Sequence, residues 1–259
     1  MIWRLGVAGQ PVAHSLSPRL HETGLALAGL VGSSSHLELR HDDASRIREV
    51  MVDFDALSVT MPLKGLVGEY CDELDEVATR TGSVNSLWWD GSRLRGASTD
   101  GAGLLDALAA EFAFDPDGAH VVVLGAGGAA RAIVDALVGA GVATVVVHGR
   151  TAANVEAITS RYDNVFDFSL TLRPIDLVIN TVPVSDHTDE VAVHQGVGEH
   201  TVAVDITYEP RMSNWRALYE SRGCRSANGF GMLAYQAARQ MQWWWDVPID
   251  GAKLLEVLR

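Results

Sequence analysis

Val121-Val122-Val123-Leu124-Gly125-Ala126-Gly127-Gly128-Ala129-Ala130-Arg131 is the stretch that decides the fold class. Four apolar residues, three of them β-branched, predict a strand buried on both faces. The glycines predict a tight turn, and the residues from 129 to 139 a helix. The spacing Gly125-x-Gly127-x-x-Ala130 fits the dinucleotide fingerprint. One glycine makes the turn, one lets a pyrophosphate approach the backbone, and the small residue lets helix and sheet pack closely. The amides of Gly125, Ala126, Gly127, Gly128 and Ala129 and the helix dipole would hold the phosphates. A tight strand-to-helix turn without a ligand is the ordinary alternative.

The next strand, expected over 144–147, selects the dinucleotide. A free ribose 2′-hydroxyl ordinarily meets an Asp or Glu about 20 residues past the glycines. This chain has His148-Gly149-Arg150-Thr151 there and no acid before Glu156. Arg150 can pair with a 2′-phosphate and Thr151 can donate to it, which favours NADP over NAD. An exposed arginine after a strand is the bland reading.

Apolar runs alternate with helical periodicity along all 259 residues, the pattern of α/β architecture. Further strands are expected at 2–8, 36–40, 56–60, 177–180 and 202–206. Helices are expected at 21–30, 44–52, 101–112 and about 231–245, with a short one after it. Residues 84–89 and 92–97 flank Asp90-Gly91, a hairpin signal, so the front sheet is mixed. Asp115-Pro116-Asp117-Gly118 is a turn and the expected domain boundary.

Lys+Arg total 20 and Asp+Glu 33, a net charge of −13, which argues against a nucleic-acid or anionic-membrane partner. Cys71 and Cys224 are too few for a disulfide framework. Neither they nor the nine histidines show metal-ligand spacing, so no metal is expected. The longest apolar run, 136–147, falls short of a membrane span. The opening residues lack the basic-then-apolar pattern of a signal peptide. A soluble, cytoplasmic protein acting on a small molecule, as a monomer or homodimer, is the expectation.

Four polar clusters at strand ends stand in the front part. Ser15 and Ser17 lie in Gly9-Gln10-Pro11-Val12-Ala13-His14-Ser15-Leu16-Ser17-Pro18-Arg19-Leu20-His21, where Ser17-Pro18 reads as a helix N-cap followed by proline. Two hydroxyls at a helix start also suit a carboxylate. Ser58-Val59-Thr60-Met61-Pro62-Leu63-Lys64 ends a strand and opens a helix at Pro62, and a lysine one turn into a helix is ordinarily solvated. Asn85 falls in a buried strand, and Asp100 of Thr99-Asp100-Gly101 has N-cap as its default role. Taken singly, each has a structural reading. Four together beside a dinucleotide motif point to a binding site.

These segments give the chain its resemblance to the shikimate dehydrogenase family. The match runs through residues 9–21, Val59-Thr60-x-Pro62-x-Lys64, Gly82-Ser83-Val84-Asn85 and Thr99-Asp100-Gly101-x-Gly103. It continues through 125–130, 176–181, 205–210 and Gly231-Met232-Leu233-x-x-Gln236, in the family's order. The resemblance implies an N-terminal mixed-sheet α/β substrate domain, 1–102 plus 232–259, and a Rossmann-type NADP-binding domain, 103–231. It implies reduction of 3-dehydroshikimate to shikimate with NADPH, in the shikimate pathway of aromatic amino acid biosynthesis. Carried over by position, Lys64 and Asp100 form the catalytic pair. Ser15, Ser17 and Tyr208 hold the substrate carboxylate, and Thr60, Asn85 and Gln236 bind ring hydroxyls. Ile206 and Gly229 to Met232 lie near the nicotinamide.

The chain departs from the family at Ser58, often Asn; at Ser86, often Thr; at Ser98, usually Asn; and at Gly149, usually Asn. Lys64 serves either as an acid–base group or as an electrostatic and hydrogen-bonding group. Two rival functions remain: a quinate or quinate/shikimate dehydrogenase using NAD or NADP, and a non-catalytic dinucleotide- or metabolite-sensing module. Structural roles are expected for His21, which makes a hydrogen bond, and for Trp243-Trp244-Trp245, which packs the last long helix with one indole exposed.

Overall fold

The computed structural model describes residues 2–168, 174–182 and 196–259. The chain forms two compact units, Met1–Gly103 with Leu233–Arg259, and Leu104–Met232. The first contains strands β1 (Ile2–Gly9), β2 (Val31–Glu38), β3 (Ala56–Val59), β4 (Glu73–Leu74), β5 (Ser86–Asp90) and β6 (Arg93–Ala97). Its sheet runs β2-β1-β3-β5-β6-β4, and β5 alone runs against the others. The mixed sheet thus follows from the Asp90-Gly91 hairpin. Its helices are α1 (Ser17–Ala28), α2 (Ile47–Val50), α3 (Glu76–Thr81) and α9 (Gly251–Glu256), with parts of α4 (Asp100–Phe112) and α8 (Phe230–Trp245). Ile47, Met51, Leu57, Leu63, Leu87 and Leu94 form the core on one face.

The second unit holds β7 (His120–Leu124), β8 (Thr144–His148), β9 (Val165–Asp167), β10 (Leu177–Asn180), β11 (Val202–Asp205) and β12 (Arg225–Ala227). They pair in the order β12-β11-β10-β7-β8-β9, all parallel, with α5 (Gly128–Gly139), α6 (Ala152–Thr159) and α7 (Asn214–Glu220) between them. Alternation along β7 sends Val121 and Val123 into one core with Ile133 and Leu137, and Val122 and Leu124 into another with Trp215 and Tyr219. Helix α5 meets the first core through Ala130, Ile133, Val134 and Leu137, one face of a 3.6-residue period. Strand order reverses between β7 and β10, the switch point at which such sheets bind ligands.

Several expectations need correction. The units divide inside α4, after Gly103, and not at the Asp115–Gly118 turn. The helix expected at 44–52 is a 3₁₀ segment, His41–Arg46, followed by the single turn of α2. The helix expected to open at Pro62 is the 3₁₀ turn Leu63–Gly65. Helix α1 begins four residues before the expected 21, and β2 begins five residues before the expected 36. Helices α3, α6 and α7 and the short strands β4, β9 and β12 have no counterpart among the expected elements.

Candidate active site

Lys64 sits in the 3₁₀ turn after β3, and Asp100 opens α4. Their side chains meet: Lys64 Nζ lies 2.6 Å from Asp100 Oδ2, with the two side chains 18% and 3% exposed. Asn85 Nδ2 donates to Asp100 Oδ1 at 2.8 Å. Asp100 therefore accepts at both carboxylate oxygens and is no mere helix cap. Asn85, just before β5, has its Oδ1 filled by the Thr99 amide at 2.8 Å, and its Nδ2 is also 3.1 Å from Gln236 Oε1 on α8. Helices α4 and α8 cross closely here, because a Cβ on Gly103 would lie 2.5 Å from the Gln236 backbone nitrogen. Glycine at that position lets Thr99 Oγ1 reach the Gln236 carbonyl, 3.1 Å away.

The hydroxyls of Ser15 and Ser17 lie 3.2 Å apart, and Ser15 Oγ accepts from the Ser17 amide. Ser17 is not an N-cap. It is the first residue of α1, and the preceding Leu16 has helical φ/ψ of −87° and 0° and makes no side-chain cap bond, so the one side chain that meets a first-turn amide is Ser15, on the Ser17 amide. An N-cap hydroxyl needs an extended backbone to turn back on the helix, and neither Leu16 nor Ser17 has one. Thr60, at the end of β3, is held by its amide to the Ala8 carbonyl at 2.9 Å. Ser15, Ser17, Thr60, Lys64, Asn85, Asp100 and Gln236 all belong to the first unit, whereas Tyr208 belongs to the second and stacks on Phe230 at 5.8 Å.

His21 is wholly buried, with Nδ1 2.8 Å from Ser34 Oγ and Nε2 2.9 Å from Ser58 Oγ. Burial lowers its pKa to about 3. Trp244 donates to Ser86 Oγ at 2.8 Å, while Trp243, 42% exposed, meets Trp88 edge-on. Of the departures from the family pattern, Ser58 and Ser86 are thus hydrogen-bonded, and Ser98 Oγ is buried without a partner. Thr99 and Gln240 join the polar cluster; Thr99 stands in the quoted Thr99-Asp100-Gly101 segment with no role of its own expected there, and nothing in the sequence singles out Gln240. Gln240 lies four residues past Gln236, on the same face of α8.

In the second unit, Gly125 has φ of +110° and donates its amide to the His148 carbonyl. Gly127 caps α5 without any side-chain bond, and a Cβ added there would meet nothing within 4 Å. The amides of Gly128 and Ala129 open the helix behind it. Arg131, in the first turn, has a buried Nε with no hydrogen-bond partner, and burial followed by the nearby Arg161 charge pushes its guanidinium below the usual range. An open backbone cradle beside an orphaned cationic donor fits a pyrophosphate. Arg150 and Thr151 are exposed after β8, and no carboxylate stands on the residues between β8 and α6. Ile206 follows β11 with its amide on the Asn180 carbonyl, and its own carbonyl lies where a Cβ on Gly229 would fall. Met232, 7% exposed, is packed into the core with Leu104 and Leu108. Among the described residues no group of His, Cys, Asp and Glu side chains is placed to hold a metal, and no helix is long and apolar enough to cross a membrane.

Residues 7–87 match the family model for the shikimate dehydrogenase substrate binding domain, and residues 107–210 match that for shikimate / quinate 5-dehydrogenase. A shikimate dehydrogenase (NADP(+)) from an Exiguobacterium species is 36% identical, with 98% of each chain covered. The chain belongs to the shikimate dehydrogenase family. The family's NADP(+) enzyme from Geobacter sulfurreducens is 32% identical over 95% of this chain and 93% of that one. Shikimate 5-dehydrogenase from Thermus thermophilus, solved in complex with NADP(H) and shikimate, is 30% identical with a TM-score of 0.85 over 99% of this chain and 98% of that one. The mixed-sheet unit followed by a parallel dinucleotide-type unit is this family's fold.

Proposed function

We propose that this protein is an NADP-dependent shikimate dehydrogenase, reducing 3-dehydroshikimate reversibly to shikimate. The Lys64–Asp100–Asn85 arrangement carries the reading. A buried carboxylate, braced by a buried amide, holds an ammonium in a unit whose relatives bind substrate. The first unit is the substrate domain and the second the cofactor domain. When bound, the reduced nicotinamide supplies hydride to the ring carbonyl carbon.

Lys64 donates a proton to the alkoxide oxygen that develops as the carbonyl is reduced. Asp100 keeps Nζ in one place and so lowers the cost of orienting it. The Asn85 amide has two protons for the Asp100, Thr99 and Gln236 oxygens within 3.1 Å, so a ring hydroxyl can take the place of the weakest partner. Thr60 and Gln236 bind ring hydroxyls, and the paired Ser15 and Ser17 hydroxyls, with Tyr208, bind the substrate carboxylate. Gly125 to Ala129 cradle the pyrophosphate with Arg131 behind them. Arg150 and Thr151 hold the 2′-phosphate. Ile206, Gly229 and Met232 line the nicotinamide end.

Steady-state oxidation of shikimate and of quinate, each with NADP and with NAD, tests this. The expected result is kcat/KM highest for shikimate with NADP. Turnover of quinate at equal or higher efficiency would replace the substrate, and absence of turnover with all four pairs would leave a binding protein.

A further inference from the structure

One hydrogen-bond chain reaches the Asn85 main chain from the far side of the site. The Asn85 carbonyl accepts from the Val59 amide at 2.7 Å and from Gln240 Nε2 at 2.8 Å. A carbonyl can only accept, so Gln240 must present its amino group there and its Oε1 toward Ser58, 2.6 Å away. That oxygen can only accept in turn, so the Ser58 hydroxyl spends its one proton on Gln240. Ser58 Oγ then has only lone pairs for His21 Nε2, 2.9 Å away, so Nε2 must carry the proton. Nδ1 is left bare and accepts from the Ser34 hydroxyl at 2.8 Å. One backbone carbonyl thereby fixes the direction of every bond in the series. Gln240 is 1% exposed, Ser58 5% and His21 0%, so no water competes for these bonds.

We propose that Gln240, Ser58 and His21 are positioning residues, forming one directed chain from Ser34 through His21, Ser58 and Gln240 to Asn85 that aims the Asn85 amide at Asp100. Asn85 is thus held by its main chain from α8, β3 and β6, while its side chain faces the Lys64–Asp100 pair. The chain gives Ser58 a purpose: its hydroxyl is both donor to α8 and acceptor from α1, joining elements 182 and 37 residues away. The proposal rests on the shikimate dehydrogenase reading for its kinetic consequence, but not for its bond directions.

Two measurements on the full chain test it. Nitrogen-15 NMR of the histidine rings should find His21 with its proton on Nε2. A proton on Nδ1 would overturn the proposal. In Ser58→Ala the acceptor for Nε2–H is gone and Ser34 remains as partner, so the proton should move to Nδ1; an unmoved tautomer counts against the chain. In Ser58→Ala and in Gln240→Leu, kcat/KM for shikimate should fall about tenfold, the worth of one buried hydrogen bond, with the KM for NADP within about twofold of wild type. Lowered thermal stability with unchanged shikimate kinetics in both variants would reduce these residues to packing. Should Gln240→Leu not fold, Ser58→Ala carries the kinetic test. Wild-type protein inactive on shikimate would sink the functional reading, and the tautomer measurements would still decide the chain.

Discussion

Replacing Lys64 by alanine tests both the stability and the chemistry of the pair. Asp100, its side chain 3% exposed, has two donors on its carboxylate, Lys64 Nζ at 2.6 Å and Asn85 Nδ2 at 2.8 Å. Without the lysine a buried carboxylate keeps one neutral donor. Breaking a buried pair costs about 3–5 kcal/mol, and the 18% exposure of Lys64 admits some water, so the low end, about 3 kcal/mol, is expected. Loss of a positioned proton donor should lower kcat by about 10²–10⁴-fold. KM for shikimate should change much less, because Ser15, Ser17, Asn85 and Gln236 remain to bind it. Lys64→Arg separates the two effects. It should restore much of the stability through the guanidinium–carboxylate pair, but not kcat, since arginine does not release its proton. Steady-state assay with shikimate and NADP, alongside urea unfolding, reads both. Near-normal kcat in Lys64→Ala, or full recovery of kcat in Lys64→Arg, would refute proton donation by Lys64.

Arg150→Ala should raise KM for NADP far more than for NAD, by the equivalent of about 1–3 kcal/mol; equal loss for both would remove the 2′-phosphate role. Ser17→Ala should weaken shikimate binding with only a few tenths of a kcal/mol of lost stability, because Ser17 does not cap α1; a large fall in Tm with unchanged KM would restore the capping role. His21 should make the protein acid-sensitive above the carboxylate range. Its ring takes no proton in the folded state until about pH 3 but takes one at about 6.5 when unfolded, so its stabilisation is complete above 6.5 and falls as pH drops toward 3. The slope should steepen from about 0.7 kcal/mol per pH unit at pH 6.5 to about 1.3 near pH 5, measured by urea unfolding, and His21→Gln should flatten it. A flat wild-type profile would contradict the buried, uncharged ring.

Legibility in the sequence follows the range of the interactions. The β7–glycine–α5 segment can be read outright, because a doubly buried parallel strand must be apolar and β-branched and the turn must be glycine. The unit boundary cannot be read from turn signals and periodicity, although the family resemblance puts it at residues 102–103. It falls within α4, where Leu104 and Leu108 enter one core while Asp100, one turn earlier, serves the other unit. Helical periodicity reports which face is buried, not which core buries it. Ser17 reads as a cap because the Ser-Pro signal cannot show that Leu16 is already helical. Lys64, Asp100 and Asn85 are legible through the family pattern, since each alone has an ordinary structural role. Gln240 escapes entirely. A glutamine on a long helix looks solvated until its partners, Ser58 and Asn85, are brought to it from more than 150 residues away.

The first unit is made of two separated segments, and that bears on how the protein comes off the ribosome. Asn85, Thr99 and Asp100 are synthesised early, but the helix that supplies Gln236 and Gln240 follows only after the whole of Leu104–Met232. At about 5–20 residues per second that interval is on the order of 10 s. Throughout it the early segment has no α8 to cover its polar cluster, whereas the second unit, being continuous, can close in sequence as it emerges. Vectorial folding therefore runs inside out: the nucleotide-type unit is complete first, and the substrate-type unit waits for its returning stretch of polypeptide. In a nascent-chain experiment, protease resistance of Leu104–Met232 should appear before that of residues 1–103.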